Sequence, residues 1–419
     1  MIASARLRPP GPNAALVRPD VDGALAIIAA ATNPLGTEEI DVRLANGRVT
    51  ARPVFAAQDA PRFDAAAMDG FALRIGPATA YPAKVRVAGR IAAGQWPMPL
   101  EPWTAMRIST GAPVPDDTTA ILIQEAAAPF LLDGVEYLHL AGPVEPDRNI
   151  RRRGEDRQRG ESVLDLPVAL TPDAIGALVS YGIDRVLVRC IPRMALLSTG
   201  TELADLGMRT LARPQVFDCN APMIAAAARQ AGLAVEFLGG AVDDEAVLET
   251  AIDRAISSPA DLIVSTGGVS SGDHDHVRRV LERRGATILL HGVRMRPGKP
   301  MLVARLADGR LYFGLPGNPV AAFVAFRFFV LHAARALLAL PAEAGDPVCA
   351  SPPGRPDTTI FLRGRRRTGP DGSALVDTSL DQRSHVLRSL LQADTWVRVD
   401  DREGRLTARA YPKNATFLT

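Results

Sequence analysis

Four glycine-rich turns hold most of the residues in this sequence whose types and spacing suit chemistry. They are Ser198-Thr199-Gly200-Thr201-Glu202, the run STGGVSSGDHD from Ser265 to Asp275, Arg296-Pro297-Gly298-Lys299-Pro300, and Gly314-Leu315-Pro316-Gly317-Asn318-Pro319. Each follows a β-type run. Glycine lets backbone N–H groups close on an anion, and a helix N-terminus adds a favourable dipole. Asn318 fits an N-cap and Pro319 the first helical position, so that helix start is suited to cradling a phosphate. One such turn is usually only a turn. Four together, two with acidic residues and one with a lysine, point to a ligand site. The lysine stands out because Lys84, Lys299 and Lys413 are the only lysines among 48 basic residues.

The pattern from 191 to 340 predicts the elements that position these turns. Strands are expected at Met194–Leu197, Val235–Leu238, Asp261–Val264, Thr287–Leu290, Met301–Arg305 and Leu311–Phe313. Helices are expected at Asn220–Ala231, Asp244–Ser257, Asp273–Arg284 and Pro319–Leu340. Strands alternating with helices predict a mostly parallel sheet covered on both faces, with ligands at the carboxyl ends of the strands. Before it, a helix is expected at Asp20–Ala31 and another at Pro172–Val179. A Pro- and Gly-rich stretch from 54 to 146 reads as a β-rich unit with strands at Lys84–Ile91, Ala105–Ile108 and Ala120–Gln124. Beyond 341 the chain reads as β again. The domain reading is therefore 1–53 with 147–190 as a discontinuous linking and dimerisation unit, 54–146 as a β-rich unit, 191–340 as an α/β unit and 341–419 as a C-terminal β unit.

Composition excludes several classes. The 419 residues carry 48 basic and 46 acidic side chains, a net charge of +2, without the clustered basic surplus of a nucleic-acid binder. Three cysteines and no CxxC pair rule out a disulfide framework or zinc ribbon, and a reducing cytoplasm is the expected location. The N-terminus lacks the apolar core of a signal peptide. The most apolar stretch, Pro319–Leu340, is interrupted by Arg327, His332 and Arg335, which reads as a buried helix and not a membrane span.

Seven blocks, in order, carry a resemblance. They are Ala67-Met68-Asp69-Gly70-Phe71-Ala72, Arg107 to Pro115 (RISTGAPVP), Asn149 to Asp156 (NIRRRGED), Ser198 to Leu203, Thr266 to Asp275, Pro297 to Pro300 and Gly314 to Val320. In these the chain resembles the molybdopterin molybdenumtransferase family, MoeA, which includes the gephyrin E domain. The resemblance implies a central molybdopterin-binding-type α/β/α domain, a β-rich domain carrying MDG and TGAPVP, a small linking domain and a C-terminal β domain. It implies an enzyme of molybdenum cofactor biosynthesis that inserts molybdate into adenylylated molybdopterin, with Mg²⁺-dependent hydrolysis of the pyrophosphate linkage and release of AMP. It further implies an elongated homodimer with its site between subunits, and a molybdopterin adenylyltransferase and apo-molybdoenzymes as partners. No nucleic acid or membrane enters this reading.

Carried onto this sequence, the resemblance assigns Asp69, Thr110, Asp156, Glu202, Asp243 and Asp275 to catalysis. Of these, Glu202, Asp243 and Asp275 suit Mg²⁺, a hard cation that takes carboxylate and phosphate oxygens. Ser198, Thr199, Gly200, Gly267, Gly268, Ser270, Arg296, Lys299, Pro316, Gly317, Asn318 and Pro319 are assigned to substrate or phosphate. Arg296 stands where the family commonly has a second lysine, and Gln382-Arg383-Ser384-His385 replaces a commoner Gln-Gly-Ser-Gly form.

Structural roles compete at several of these positions. Glu202 and Asp243 also suit helix caps or solvated acids, and Asp69 a turn. Asp273 is expected to cap a helix, His274 and His276 to be exposed at a helix start, and Cys219 to be a structural thiol. The Arg151–Arg153 run, followed by Glu155 and Asp156, suits a charge-balanced loop or an intersubunit contact. Two other functions fit less of the sequence. An adenylyltransferase sharing the α/β fold would need only the central unit, and a gephyrin-like scaffold would carry a fused second domain.

Overall fold

The computed structural model describes residues 18–76, 79–204, 207, 210–242, 244–269, 276–348, 355–369, 374–402 and 404–417. The chain divides into two units, one of Met1–Glu38, Gly47–Ala51 and Val188–Thr419, the other of Glu39–Asn46 and Arg52–Leu187.

The first unit opens with helix α1 (Val21–Ala30), capped by Asp20, whose Oδ1 accepts the Gly23 N–H at 2.8 Å. The second unit holds a six-stranded sheet of β1 (Gly70–Arg74), β2 (Ala83–Ile91), β3 (Thr104–Ile108), β4 (Ala120–Ile123), β5 (Ala128–Leu132) and β6 (Val135–Leu140), in the order β4-β1-β3-β2-β6-β5. Three of these were expected from sequence within a residue. β1, β5 and β6 were not, although the Asp133-Gly134 pair between β5 and β6, at φ 52° and 79°, is a hairpin signal. Helix α2 (Pro172–Ser180) starts as expected with Thr171 as cap and Pro172 at its first position.

The rest of the first unit contains the α/β core. Its strands are β7 (Arg193–Thr199), β8 (Ala234–Ala241), β9 (Leu262–Thr266), β10 (Thr287–His291), β11 (Leu302–Arg305) and β12 (Leu311–Leu315), ordered β8-β7-β9-β12-β11-β10. Helices α3 (Asn220–Gln230), α4 (Glu245–Ser257), α5 (His276–Arg283) and α6 (Pro319–Leu337) cover it. The start expected for α5, at Asp273, lies outside the described residues.

Alternate residues of the central strands face opposite layers. Ala195, Leu197 and Ile263 pack with Leu248 and Ile252 of α4 and Val277 and Val280 of α5. On the other face α3 and α6 pack on the sheet. Both faces are thus buried, which requires the near-continuous apolar strands seen here.

One strand, β11, runs against the other five. β8, β7, β9 and β12 are parallel, but β11 runs antiparallel to β12, and β10 antiparallel to β11. A parallel crossover needs about a dozen residues and usually a helix. The link from β10 to β11 is the short turn holding Gly298 and Lys299, and no helix separates β11 from β12, so both pairs fold back.

Helix α6 ends at Leu337 and not Leu340, contains a π-helical turn at Phe326–Val330, and is mostly buried despite being long and apolar enough to cross a membrane. Its core partner is the C-terminal sheet of β13 (Thr359–Thr368), β14 (Ala374–Asp377), β15 (Thr395–Arg402) and β16 (Arg405–Pro412), with the short helix α7 (Leu387–Gln392). Phe323 stacks on Trp396, and Phe328 packs against Phe361 and Tyr411. The buried Arg327 in α6 is held by Glu343 in a bidentate pair of 2.6 and 2.7 Å.

Candidate active site at the carboxyl ends of the parallel strands

Three of the four glycine-rich turns leave the carboxyl ends of adjacent strands β7, β9 and β12, and backbone contacts lock them together. Thr199 Oγ1 donates to the Thr266 carbonyl at 3.1 Å, the Gly267 N–H to the Leu315 carbonyl at 3.0 Å, and Asn220 Nδ2 to the Gly317 carbonyl at 2.7 Å. Gly267 sits at φ 87°, and a Cβ there would lie 2.3 Å from the Thr199 carbonyl oxygen. The glycine is therefore needed for close approach of two loops as well as for its dihedral angle.

The fourth turn follows β10, which runs in the same direction as β12, and so lies at the same end of the sheet. Leu302 pairs with Gly314, so the start of β11 lies beside the carboxyl end of β12. Gly298, at φ 101°, brings this turn against the first turn of α6, where a Cβ would lie 3.5 Å from the Ala321 carbonyl. Arg296 and Lys299 are exposed, and neither makes an ion pair among the described residues. Pro316 is buried, while Gly317 and Asn318 are exposed.

Asn318 occupies the cap position of α6, but its side chain makes no capping hydrogen bond. At this helix start, expected to cradle a phosphate, the N–H of Val320 donates to the Ser384 carbonyl at 3.0 Å. A loop of the C-terminal sheet thus takes one donor of the expected anion cradle.

Ser198 is buried and donates to Asp218, whose other oxygen accepts the Asn220 and Ala221 N–H groups at 2.9 and 3.2 Å and so caps α3. Beside it lies a cavity of about 580 Å³ between α3 and β8, walled by Gly200, Ala225, Arg229, Phe237 and Gly240. Burial and the adjacent Asp218 carboxylate push the Cys219 thiol up, which fits a structural thiol.

The exposed Glu202 carboxylate lies over Gly200, 2.8 Å from where a Cβ would stand, and makes no ion pair among the described residues. Asp243, Ser270, Asp273, His274 and Asp275 lie outside the described residues. His276 contacts Glu245 at 3.4 Å, beside Arg279 and Arg283 from the same helix. Among the described residues no group of three or more His, Cys, Asp or Glu comes together to hold a metal.

Sequence reasoning missed Asp218 and Asn220, which tie the loops, and also Arg363. Arg363 is 1% exposed. Its Nη2 donates to the carbonyls of Asp381 and Arg383 at 2.7 and 3.3 Å, while Nε and Nη1 find no partner among the described residues. Burial pushes its pKa down, opposed by Asp381. Gln382 bonds both backbone groups of Arg363 at 2.9 Å, and the next residues reach the start of α6 through Ser384. An arginine on the inward face of a strand, level with Phe361, was the available signal. Arg383, by contrast, is spent on Asp381 of its own turn.

In the second unit the three remaining motif blocks converge on one segment. Ala66 N–H donates to the Ala112 carbonyl and Gly111 N–H to the Ala66 carbonyl, both at 2.9 Å, and Ala67 N–H donates to the Asn149 carbonyl at 2.9 Å. Asp69 Oδ1 accepts the backbone N–H and the hydroxyl of Thr110 at 2.6 and 3.0 Å. Those bonds, the backbone one first, hold the Asp69 carboxyl below the usual range, with Arg90 adding to the effect. Asp156 accepts from the Tyr181 hydroxyl at 3.1 Å. Arg152 pairs with Asp64 and Asp147, and Arg153 with Asp59, so these two arginines belong to a charge-balanced loop.

Comparison with known proteins assigns the family. Residues 19–182 match the MoeA N-terminal region (domain I and II), and residues 195–336 a probable molybdopterin binding domain. The chain is 35% identical over 349 residues to the molybdopterin molybdenumtransferase of Nostoc sp., spanning 81% of this chain and 78% of that protein. It is 38% identical over 310 residues to molybdopterin molybdenumtransferase 2 of Mycobacterium tuberculosis, spanning 71% and 74%. The crystal structure of the molybdopterin biosynthesis MoeA protein from Pyrococcus horikosii matches at a TM-score of 0.73 and 25% identity, over 95% of this chain and all of that one. Ordered motif blocks, a shared fold and this degree of identity together make the chain a member of the molybdopterin molybdenumtransferase family.

Proposed function

We propose that this chain carries out molybdenum insertion on adenylylated molybdopterin, with molybdate as the metal substrate and AMP as the leaving product. Membership of the family makes it a transferase of molybdenum cofactor biosynthesis that inserts molybdenum into molybdopterin. The observation that carries the finer reading is the meeting of four glycine-rich turns at one end of the sheet, with Lys299 and Arg296 exposed there and uncommitted among the described residues.

Molybdate is a dianion and the linkage to be cut is a pyrophosphate, so the site must offer donors and positive charge. Lys299 serves as a point charge for an oxyanion, and Arg296 as a planar fork with different hydrogen-bond geometry. The buried Arg363, whose Nε and Nη1 find no partner among the described residues, adds a donor beside the start of α6. The cavity between α3 and β8 suits the ring end of the substrate, which Phe237 and a floor of small residues would receive. Hydrolysis adds one water across the P–O–P bridge and leaves AMP and molybdopterin with its own single phosphate, whose dithiolene takes the metal.

Glu202, with Asp243 and Asp275, is the set suited to Mg²⁺. The Glu202 carboxylate, exposed at a strand end, fits that role. When bound, the ion would neutralise charge on the phosphates. Asp69, Thr110 and Asp156 are proposed to act from the second unit of a partner subunit in a homodimer.

The deciding assay incubates the chain with adenylylated molybdopterin, Mg²⁺ and molybdate, and follows AMP. Molybdate-dependent AMP release in step with metal insertion is expected. Consumption of ATP with formation of adenylylated molybdopterin would instead make it an adenylyltransferase.

A further inference from the structure

The inward face of the C-terminal sheet that carries Phe361, Arg363 and Trp396 continues into a charged half. Directly opposed residues of an antiparallel pair share a face, and the register sets Arg398 against Arg409, Asp400 against Thr407 and Arg402 against Arg405. These side chains line a recess of about 500 Å³, closed by Asp22 of α1 and by the segment from Glu343 to Gly345. That segment follows the end of α6, whereas the glycine-rich turns meet its start. A helix of 19 residues separates the two ends by about 28 Å.

Like charges directly opposite each other destabilise a sheet, and here the arrangement occurs twice. Carboxylates answer only part of it. Arg398, 8% exposed, pairs with Asp22 at 2.7 Å and Asp400 at 2.8 Å. Arg402 pairs with Asp22 and lies 3.9 Å from Asp20. Glu343 is held by Arg327 from within the core. Asp400 also accepts from the Thr359 hydroxyl at 2.6 Å. Among the described residues no carboxylate pairs with Arg405 or Arg409. The Arg409 guanidinium donates, among the described residues, only to the Gly345 carbonyl, at 3.1 Å. Both are exposed and flank the exposed Thr407 on the same face.

Two guanidinium forks on either side of a hydroxyl form a donor set for a tetrahedral oxyanion, because planar N–H pairs match its oxygens. We propose that this recess is a second anion site, distinct from the strand-end turns. It takes a multiply charged phosphate-like group on Arg405, Thr407 and Arg409, with Arg402 at its edge. Inorganic phosphate, an oxometalate and the phosphate of a nucleotide share this chemistry.

Titration calorimetry on the full chain tests the site with inorganic phosphate, molybdate and AMP as separate probes. The proteins compared are the parent, the double variant Arg405→Gln with Arg409→Gln, and Lys299→Ala. At least one probe should bind about tenfold more weakly to the double variant, the scale of one lost charge-assisted contact. The same probe should keep its recess affinity in Lys299→Ala and weaken with added salt. Phosphate and molybdate binding alike assigns a general tetrahedral-anion site, and AMP binding alone a nucleotide site. With no anion added, the double variant should melt no lower than the parent, because two like-charge oppositions are relieved. Should it melt lower, Arg405→Lys with Arg409→Lys decides. Binding retained with the charges kept supports the site, and binding lost overturns it. Equal affinity of the parent and the double glutamine variant for all three probes also overturns it.

Discussion

The MDG region and the end of the parallel sheet both carry family motifs, but they use them differently. Around Asp69 the motif residues satisfy one another. Thr110 donates twice to Asp69, Arg152 and Arg153 pair with acids of the same unit, and three blocks interlace through the segment from Asp64 to Asp69. At the sheet end the glycines are consumed by close packing, while the charged residues beside them, Glu202, Arg296 and Lys299, make no ion pair among the described residues. The Asp69 and Thr110 side chains, 41 residues apart in sequence, are held by their bonds in a fixed mutual geometry. Charged residues that make no ion pair among the described residues, at the end of a parallel sheet, are available to a ligand.

The largest effect expected from this contrast is at Glu202. Glu202→Gln keeps the shape and removes the charge, so turnover should fall by about 100-fold, the scale of losing one group that stabilises developing charge. The melting temperature should not change. Full molybdate-dependent AMP release by the variant would place Glu202 among the solvated surface acids.

Lys299→Ala comes next. Loss of a charge-assisted contact to an anion costs about 2–3 kcal/mol. Molybdate or substrate affinity should fall accordingly, with an unchanged circular dichroism spectrum. Unaltered affinity would make Lys299 a turn residue and remove the lysine from the site.

Gly70→Ala moves the comparison to the other region. A Cβ at Gly70 would lie 2.1 Å from the Leu122 carbonyl oxygen in the neighbouring strand. Overpacking of this kind costs about 1–3 kcal/mol or more. Denaturant unfolding should show the loss, and a variant as stable as the parent would mean that β1 and β4 can part without penalty.

The smallest effect is at Asp69. Its carboxyl is held below the usual range by Thr110, so its contribution to stability is fully present above the unfolded-state value, about 3.9. That contribution is lost as the pH falls through the lower folded-state value. The difference in melting temperature between the parent and Asp69→Asn should therefore be constant from neutral pH down to about pH 5. It should shrink only in stronger acid. A difference that disappears between pH 6 and pH 8 would mean that another group controls this turn.

Much of this was legible in the sequence because it rests on local rules. Strand runs at Met194–Leu197 and Asp261–Val264, the Thr171-Pro172 helix start and the glycine-rich turns follow from periodicity, capping and backbone freedom, which neighbouring residues decide. The strands found are longer at their ends because sheet pairing extends them, as in β8, which runs from Ala234 to Ala241. β1 was not legible, since its run of small and apolar residues becomes a strand only between β3 and β4.

What the sequence determined by itself was the set of turns, the alternation of strands and helices and the family to which the motifs belong. Tertiary structure alone decided that β11 folds back after β10 so that Lys299 lies beside the start of α6, that the Ser384 carbonyl takes an N–H of that helix, and that Arg363 is buried with Nε and Nη1 unanswered among the described residues. The physical reason is sequence separation. A glycine's φ or a helix cap is fixed within a few residues, whereas the partner of Val320 lies 64 residues away along the chain, and only the packed core brings it there.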